Sequence, residues 1–232
     1  GNEAGPGDVF QEAADWLREA DPNRLVHYQD DSTVADIDGV FYPSVSDVRA
    51  RPQVSTGRPW IMTEYQMVMG NAVAGMTEYW DAIDTNAEMQ GGFIWDWADQ
   101  AIDGGFTALP VGDLDHADTY LSYGGDWGDG LTDGAFSLNG LVNPDRVPQP
   151  ELAAVAAAYA PVTADASAWA AGTVRVCNEH LFTDLAQLGS RWVVEADGEP
   201  TASGGLPWAL GPGECGDLAF PSDAHAAVVD AT

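Results

Sequence analysis

The amino-acid sequence predicts an α/β chain: the C-terminal half of a (β/α)8 barrel over residues 1–161, then an incomplete all-β sandwich over residues 162–232. Three observations predict it. Short apolar runs alternate with helical patterns as far as residue 160, the signature of a parallel sheet. Two carboxylates, Glu3 and Glu64, stand at strand ends with two complete strands between them. Beyond Pro161 no helical period returns, and alternating strands with turn signals take over.

The first element is a helix over residues 8–20. Asp8 is its candidate N-cap with Gln11 three residues on, and Phe10, Ala13, Ala14 and Leu17 recur at helical spacing beside Trp16. Asp21-Pro22-Asn23 stops it. Leu25-Val26-His27-Tyr28 reads as a first strand, Gly39-Val40-Phe41-Tyr42 as a second closed by Pro43, and residues 44–50 as a short helix. Trp60-Ile61-Met62 is an apolar run too short for a helix, so residues 60–64 read as the third strand, ending in Glu64-Tyr65. A helix over residues 71–84 carries Val73, Met76, Trp80 and Ile83 on one stripe, with Asn71 as its candidate cap. Gly91 to Trp97 is the fourth strand.

Residues 101–150 are rich in glycine and aromatics (Gly104-Gly105, Tyr123 to Gly130, Leu138-Asn139-Gly140), which predicts an ordered rim of a site rather than a linker. Glu151, Leu152, Val155 and Tyr159 predict a last helix. In the second part, Thr173 to Val176 and Arg191 to Glu195 are strands, and Asp197-Gly198 is a turn.

The carboxylate pair decides between an open and a closed sheet. In an open sheet, strands three apart are separated by well over about 10 Å, at ~4.8 Å per step. In a closed eight-stranded barrel they converge across the mouth. Cooperation of Glu3 with Glu64 therefore requires the barrel.

Composition bounds the partners. The 232 residues carry 37 acids against 8 basic residues, all arginine, for a net charge of −29. That charge excludes nucleic acid and anionic membrane as partners. No run of eighteen apolar residues exists, so no segment reads as a membrane span. Hydrophobic residues at 45% and nine tryptophans predict packed cores rather than disorder. A lysine-free acidic surface fits a protein that works in high salt, and it equally fits the bias of a GC-rich genome. Cys177 and Cys215 have no zinc or CxxC spacing; they read as two buried thiols, with a bridge as the alternative. The chain opens on Gly1-Asn2-Glu3 and stops after the apolar Ala226-Ala227-Val228-Val229, so both ends look cut from a longer protein.

Five motifs occur in order: Gly1-Asn2-Glu3-Ala4-Gly5; Thr63-Glu64-Tyr65 with Met69-Gly70-Asn71; Gln90-Gly91-Gly92-Phe93-Ile94-Trp95-Asp96-Trp97-Ala98-Asp99-Gln100; Tyr123-Gly124-Gly125-Asp126; and Leu138-Asn139-Gly140-Leu141-Val142. The set resembles the large β-galactosidases of glycoside hydrolase family 2, and Asn178-Glu179-His180-Leu181-Phe182 resembles that family's domain after the barrel. Gly-Asn-Glu alone is a weak signal. The Gly-Gly-Phe-Ile-Trp-Asp-Trp string is a specific one.

The resemblance implies a retaining exo-glycosidase acting on terminal β-galactose, with the second domain an immunoglobulin-like sandwich. Glu64 matches the nucleophile, Glu3 the general acid/base, and Tyr42 a tyrosine that hydrogen-bonds the nucleophile. Asn2 matches a residue at the sugar 2-hydroxyl and Trp95 a platform under the sugar ring. Asn139 and the carbonyl of Phe136 match a Na⁺ or K⁺ site, and Glu3 also matches a ligand of Mg²⁺. A small carbohydrate substrate, a homo-oligomer and a cytoplasmic location are implied in the same way. Physical chemistry asks the same of the pair: a retaining mechanism places its carboxyl groups ~5–5.5 Å apart, one ionised to attack and one protonated to donate.

Three positions depart from the family. Met67 stands where a histidine contacts the sugar 6-hydroxyl region, Pro6 replaces another histidine, and Gln29 stands near a usual acid. These leave the reaction intact and open the choice of sugar to a sister β-glucuronidase or β-mannosidase specificity. A carbohydrate-binding relative without activity predicts loss of one carboxylate, and both are present.

Overall fold

The computed structural model describes residues 2–103, 121–126, 128, 130–206, 208–222 and 228. Gly1, Gly104-Gly105, Trp127, Asp129, and all of Ala226 to Val229 except Val228 lie outside the described residues. The chain divides into two compact units, residues 1–158 and 159–232.

In the first unit, helix α1 (Asp8–Ala20) leads to strand β1 (Asp38–Phe41), helix α2 (Val45–Ala50), strand β2 (Trp60–Tyr65), helix α3 (Met76–Asp84) and strand β3 (Met89–Ile94). The three strands form one parallel sheet in the order β1-β2-β3. It is an open sheet, the βα alternation of a barrel segment. Leu25 to Tyr28, expected as a strand, contributes one parallel bridge, His27 to Ile37. Its backbone is occupied otherwise: Val26 N–H donates to the Asp36 carboxylate at 2.8 Å, and Arg18 holds the other Asp36 oxygen at 2.8 Å.

The sheet is covered on one face by helices. Trp60, Met62, Tyr65 and Met89 are buried with Val48 of α2, Met76 and Ile83 of α3, and Val155 of a later helix. Several boundaries moved from the expected ones. Helix α1 starts after Gly7, and Asp8 lies in its first turn. Gln11 bonds Asp15 instead of closing a capping box. Of its apolar stripe only Ala14 is buried, while Phe10 stacks on Tyr28 and Leu17 and Trp16 stay exposed. Helix α3 begins at Met76, because Gly75 turns the chain there at φ 74°; Asn71 does not cap it, and Val73 is buried ahead of it. Ser44 caps α2 with a reciprocal bond to Asp47.

Strands β4 (Ile102–Asp103) and β5 (Leu121–Ser122) pair in the rim, and helix α4 (Glu151–Ala158) closes the first unit. The second unit is all-β. Strands β6 (Val162–Asp165), β7 (Thr173–Asn178), β8 (Arg191–Ala196), β9 (Glu199–Gly205) and β10 (Cys215–Ala219) form two open antiparallel sheets, ordered β10-β7-β6 and β8-β9. The β8–β9 hairpin turns at Asp197-Gly198 with φ 52° and 81°, the two positive angles of a type I′ turn. Separate apolar clusters sit on each sheet, around Val174, Val176 and Leu210 and around Trp192, Val194 and Leu206.

The expectation of two buried thiols is overturned. Cys177 and Cys215 face each other across β7 and β10 with Cα atoms 4.0 Å apart and form a disulfide. Cys177 is half-buried and Cys215 exposed. Cross-strand register, which residue spacing alone does not reveal, brings them together.

Arg18, Arg24, Arg51, Arg58 and Arg175 each pair with an aspartate. Eight arginines cannot balance 37 acids, so carboxylate repulsion is left for salt to screen. At molar salt the screening length falls to about 3 Å. The melting temperature should therefore rise between dilute buffer and molar KCl. A flat or falling melting temperature would count against high-salt adaptation.

Candidate active site at the C-terminal edge of the sheet

The three parallel strands deliver their next residues to one edge. Strand β1 runs into Tyr42, β2 carries Glu64 near its end, and β3 runs into Trp95 and Asp96. The C-terminal edge is where parallel α/β sheets hold their chemistry.

Tyr42 and Glu64 are joined twice. The Tyr42 N–H donates to the Glu64 carbonyl at 2.8 Å, and the phenol donates to Glu64 Oε2 at 2.8 Å. Burial pushes the Tyr42 phenol well above its usual pKa, and the hydrogen bond to Glu64 and the charges of Glu64, Glu3 and Asp96 push it further. The sign favours the protonated phenol. Tyr42 thus remains a donor to Glu64 beyond the pH at which a free tyrosine ionises.

Glu3, Tyr42 and Gln66 have positive φ angles of 50°, 43° and 54°. Non-glycine residues adopt that region seldom, and they gather at functional sites. Glu3 lies on an exposed turn with Asn2. That turn is tied down through Gly5, whose N–H donates to Asp30 at 2.9 Å and whose carbonyl accepts from the Tyr28 hydroxyl at 2.6 Å.

Trp95 and Asp96 follow β3 through a cis peptide bond. The Trp95 N–H donates to the Tyr65 carbonyl at 3.0 Å, and its own carbonyl accepts from Val68 at 2.8 Å. The loop through Asn139 is zipped to this segment: Asp96 N–H donates to the Asn139 carbonyl at 2.6 Å and Leu141 N–H to the Asp96 carbonyl at 3.1 Å. Gly140 makes this possible, since a Cβ there would overlap the Asp99 nitrogen and the Ala98 backbone. Trp95, Gln100, Phe136 and Asn139 line a cavity of about 350 Å³.

Asn139 is buried, and its Nδ2 donates to the Phe136 carbonyl at 3.1 Å. Its Oδ1 is buried and accepts no hydrogen bond among the described residues. A buried amide oxygen without a partner fits one ligand of an oxygen-only cation site. No group of three His, Cys, Asp or Glu side chains converges as a metal site among the described residues, so Glu3 stands there as a single candidate ligand for Mg²⁺. Met67, half-buried, follows Glu64 on the same edge.

Asp96 and Gln100 stand in the Gln90 to Gln100 motif, which by itself assigns them no role. The structure joins them at 2.7 Å, Gln100 Nε2 donating to Asp96 Oδ2, with Gln100 lining the cavity. Their four-residue spacing directly after Trp95 was the available signal.

This parallel sheet, with carboxylates, a phenol and an indole at its C-terminal edge, is a segment of an α/β-barrel hydrolase. Residues 1–164 match the TIM barrel domain of glycosyl hydrolases family 2, and residues 174–230 match domain 4 of β-galactosidase. The chain belongs to glycoside hydrolase family 2.

It is 38% identical over 204 residues to a β-galactosidase of Priestia megaterium, covering 86% of this chain and 19% of that protein. It is 37% identical over 227 residues to a β-galactosidase of Klebsiella pneumoniae, covering 91% and 21%. The chain thus spans about a fifth of the length of these relatives. Among solved structures, a family 2 β-galacturonidase from Eisenbergiella tayi bound to galacturonate is similar at 16% identity and a TM-score of 0.41, covering 66% of this chain and 30% of that one. A β-glucuronidase from Bacteroides uniformis is similar at 12% identity and a TM-score of 0.40, covering 92% and 27%.

Proposed function

We propose that this chain supplies the catalytic pair of a retaining exo-β-galactosidase, with Glu64 as nucleophile and Glu3 as acid/base. The observation that carries the reading is the Tyr42 hydroxyl on Glu64 Oε2 at 2.8 Å. The naming of the 34–38% identical relatives as β-galactosidases supports the sugar.

In this reading Glu64 attacks C1 of the galactosyl unit while Glu3 gives its proton to the leaving oxygen, forming a covalent galactosyl-enzyme. Glu3, now a carboxylate, takes a proton from water, which attacks C1 and releases galactose with its configuration retained. Tyr42 fixes the Glu64 carboxylate before attack and donates to it again when the C1–O bond breaks and its electron pair returns to the carboxylate. Trp95 presents its indole face to the apolar C–H face of the sugar, and Asn2 meets the 2-hydroxyl. Asn139 Oδ1 and the Phe136 carbonyl would hold Na⁺ or K⁺, which when bound orients the 6-hydroxyl. Glu3 would share Mg²⁺ with ligands beyond those described. We further read the second unit as an immunoglobulin-like sandwich and the whole protein as a homo-oligomer acting on small carbohydrates. The Cys177–Cys215 bridge runs against the cytoplasmic expectation, since such bridges persist in oxidising compartments.

The test is hydrolysis of nitrophenyl β-galactoside, β-glucuronide and β-mannoside by the intact protein, with the first product anomer followed by NMR. The β-galactoside should be cleaved with the largest kcat/KM and release β-galactose. Preference for another sugar would assign Met67 a different specificity, and an α product would overturn the retaining mechanism.

A further inference from the structure

We propose that His27, Gln29 and Thr63 form a hydrogen-bonded clamp on a β-bulge at Thr63, and that this bulge is what turns Glu64 into the site. The proposal rests on Glu64 being the nucleophile.

Side chains alternate along a strand, and a slip of one residue exchanges the faces. Trp60 and Met62 of β2 are buried against the helices. Strict alternation would send Glu64 to that same face, into an apolar core with Val48, Met76 and Ile83. The structure avoids this. Tyr65, three residues after Met62, fills the core and is fully buried, while Glu64 meets Tyr42.

The register shows the extra residue from both neighbours. On the β1 side Val40 and Phe41 pair with Met62 and Glu64, passing over Thr63. On the β3 side the ladder slips at the same place: Gly92 and Ile94, two apart, pair with Met62 and Tyr65, three apart, undoing an opposite slip between Trp60 and Met62. A bulged residue leaves the ladder locally unpaired, and bulges re-aim side chains beside active sites.

The bulge is gripped by its side chain. The Thr63 hydroxyl is hydrogen-bonded to Gln29 Oε1 and lies 3.3 Å from His27 Nε2. His27 is itself oriented by its Nδ1, which donates to the Ile37 carbonyl at 3.0 Å. Gly39 of β1 leaves the space: a Cβ there would sit 2.8 Å from both Gln29 Oε1 and Thr63 Oγ1. The segment around His27 and Gln29, strand β1 and strand β2 thus meet at one threonine hydroxyl, one residue before Glu64. His27, Gln29 and Thr63 are positioning residues, acting through Glu64 and not on the sugar.

The test uses the intact protein and 2,4-dinitrophenyl 2-deoxy-2-fluoro-β-galactoside, which labels the nucleophile. Thr63→Val keeps the shape and removes the hydroxyl; Thr63→Ser keeps the hydroxyl. Thr63→Val should slow labelling and lower kcat by about 10²-fold, the cost of roughly 1 Å of misplacement, with KM little changed. Thr63→Ser should restore most of both. Gln29→Met removes the grip from the neighbouring segment and should give the same split, even if Thr63→Val does not fold. Wild-type labelling rates in Gln29→Met, or equal losses in Thr63→Ser and Thr63→Val with a lowered melting temperature, would overturn the clamp and leave the role of Glu64 standing. A label absent from Glu64 in the wild-type protein would overturn both.

Discussion

Glu64→Gln in the intact protein should lower hydrolysis of β-galactosides by roughly four to six orders of magnitude, as loss of a covalent nucleophile does elsewhere. The side chain is half-buried at the edge of the sheet, outside the apolar core, so the substitution removes charge without opening a cavity. The amide oxygen can still accept from Tyr42, and the melting temperature should stay within a few degrees of wild type. What is lost is the attack on C1, because an amide is a poor nucleophile. The direct measurement is the label from a 2-fluoro sugar, which should sit on the peptide containing Thr63-Glu64-Tyr65. A label on Glu3, or a Glu64→Gln variant that keeps near wild-type turnover, would sink the assignment.

Glu3→Ala should fail differently. Its loss removes the proton donor, so substrates with poor leaving groups such as lactose should slow by about 10²–10⁴-fold, the range of general acid catalysis. Dinitrophenyl galactoside, whose leaving group needs no proton, should still form the galactosyl-enzyme. Its breakdown then becomes the slow step, because no base activates water. Azide needs no base and should restore turnover, giving β-galactosyl azide. With Glu64→Ala, azide occupies the nucleophile's space and should give the α-azide. The two products separate the roles on chemical grounds, and an α-azide from Glu3→Ala would reverse them. The exposed Glu3 turn adds a second arm: its anchor through Gly5 to Asp30 and Tyr28 predicts that loss of the Asp30 carboxylate disturbs the acid/base step more than the labelling of Glu64.

Much of the site was legible in the sequence. Local pattern placed Glu64 after an apolar run too short for a helix and Tyr42 at the end of the strand before it, while their roles and that of Trp95 came from the family resemblance. The βα alternation and the change to β structure after Pro161 were equally local, since periodicity and turn residues report backbone conformation directly. The Asp197-Gly198 turn needed only its two residue types.

Other features depended on contacts between segments distant in sequence. Leu25 to Tyr28 has strand composition, yet the Asp36 carboxylate takes the Val26 N–H that a ladder would use. Helix α3 starts at Met76, five residues later than the expected residue 71, because Gly75 turns the chain and Val73 packs ahead of it. The cysteines read as buried thiols until the pairing of β7 with β10 set them opposite each other. Composition bounds how many partners a residue type can have, and it leaves register undetermined.

The facing of Glu64 shows the division most directly. The sequence by itself determined that a carboxylate ends this strand, because local hydrophobic pattern fixes where the strand runs. It did not determine which way the carboxylate points. Two-residue alternation from Met62 aims Glu64 into the helix-side core, and only the bulge at Thr63, seen in the pairing with β1 and β3, turns it to Tyr42. Register is decided between strands, where burial of Tyr65 and the grip of His27 and Gln29 on Thr63 act together, and no single segment carries that information.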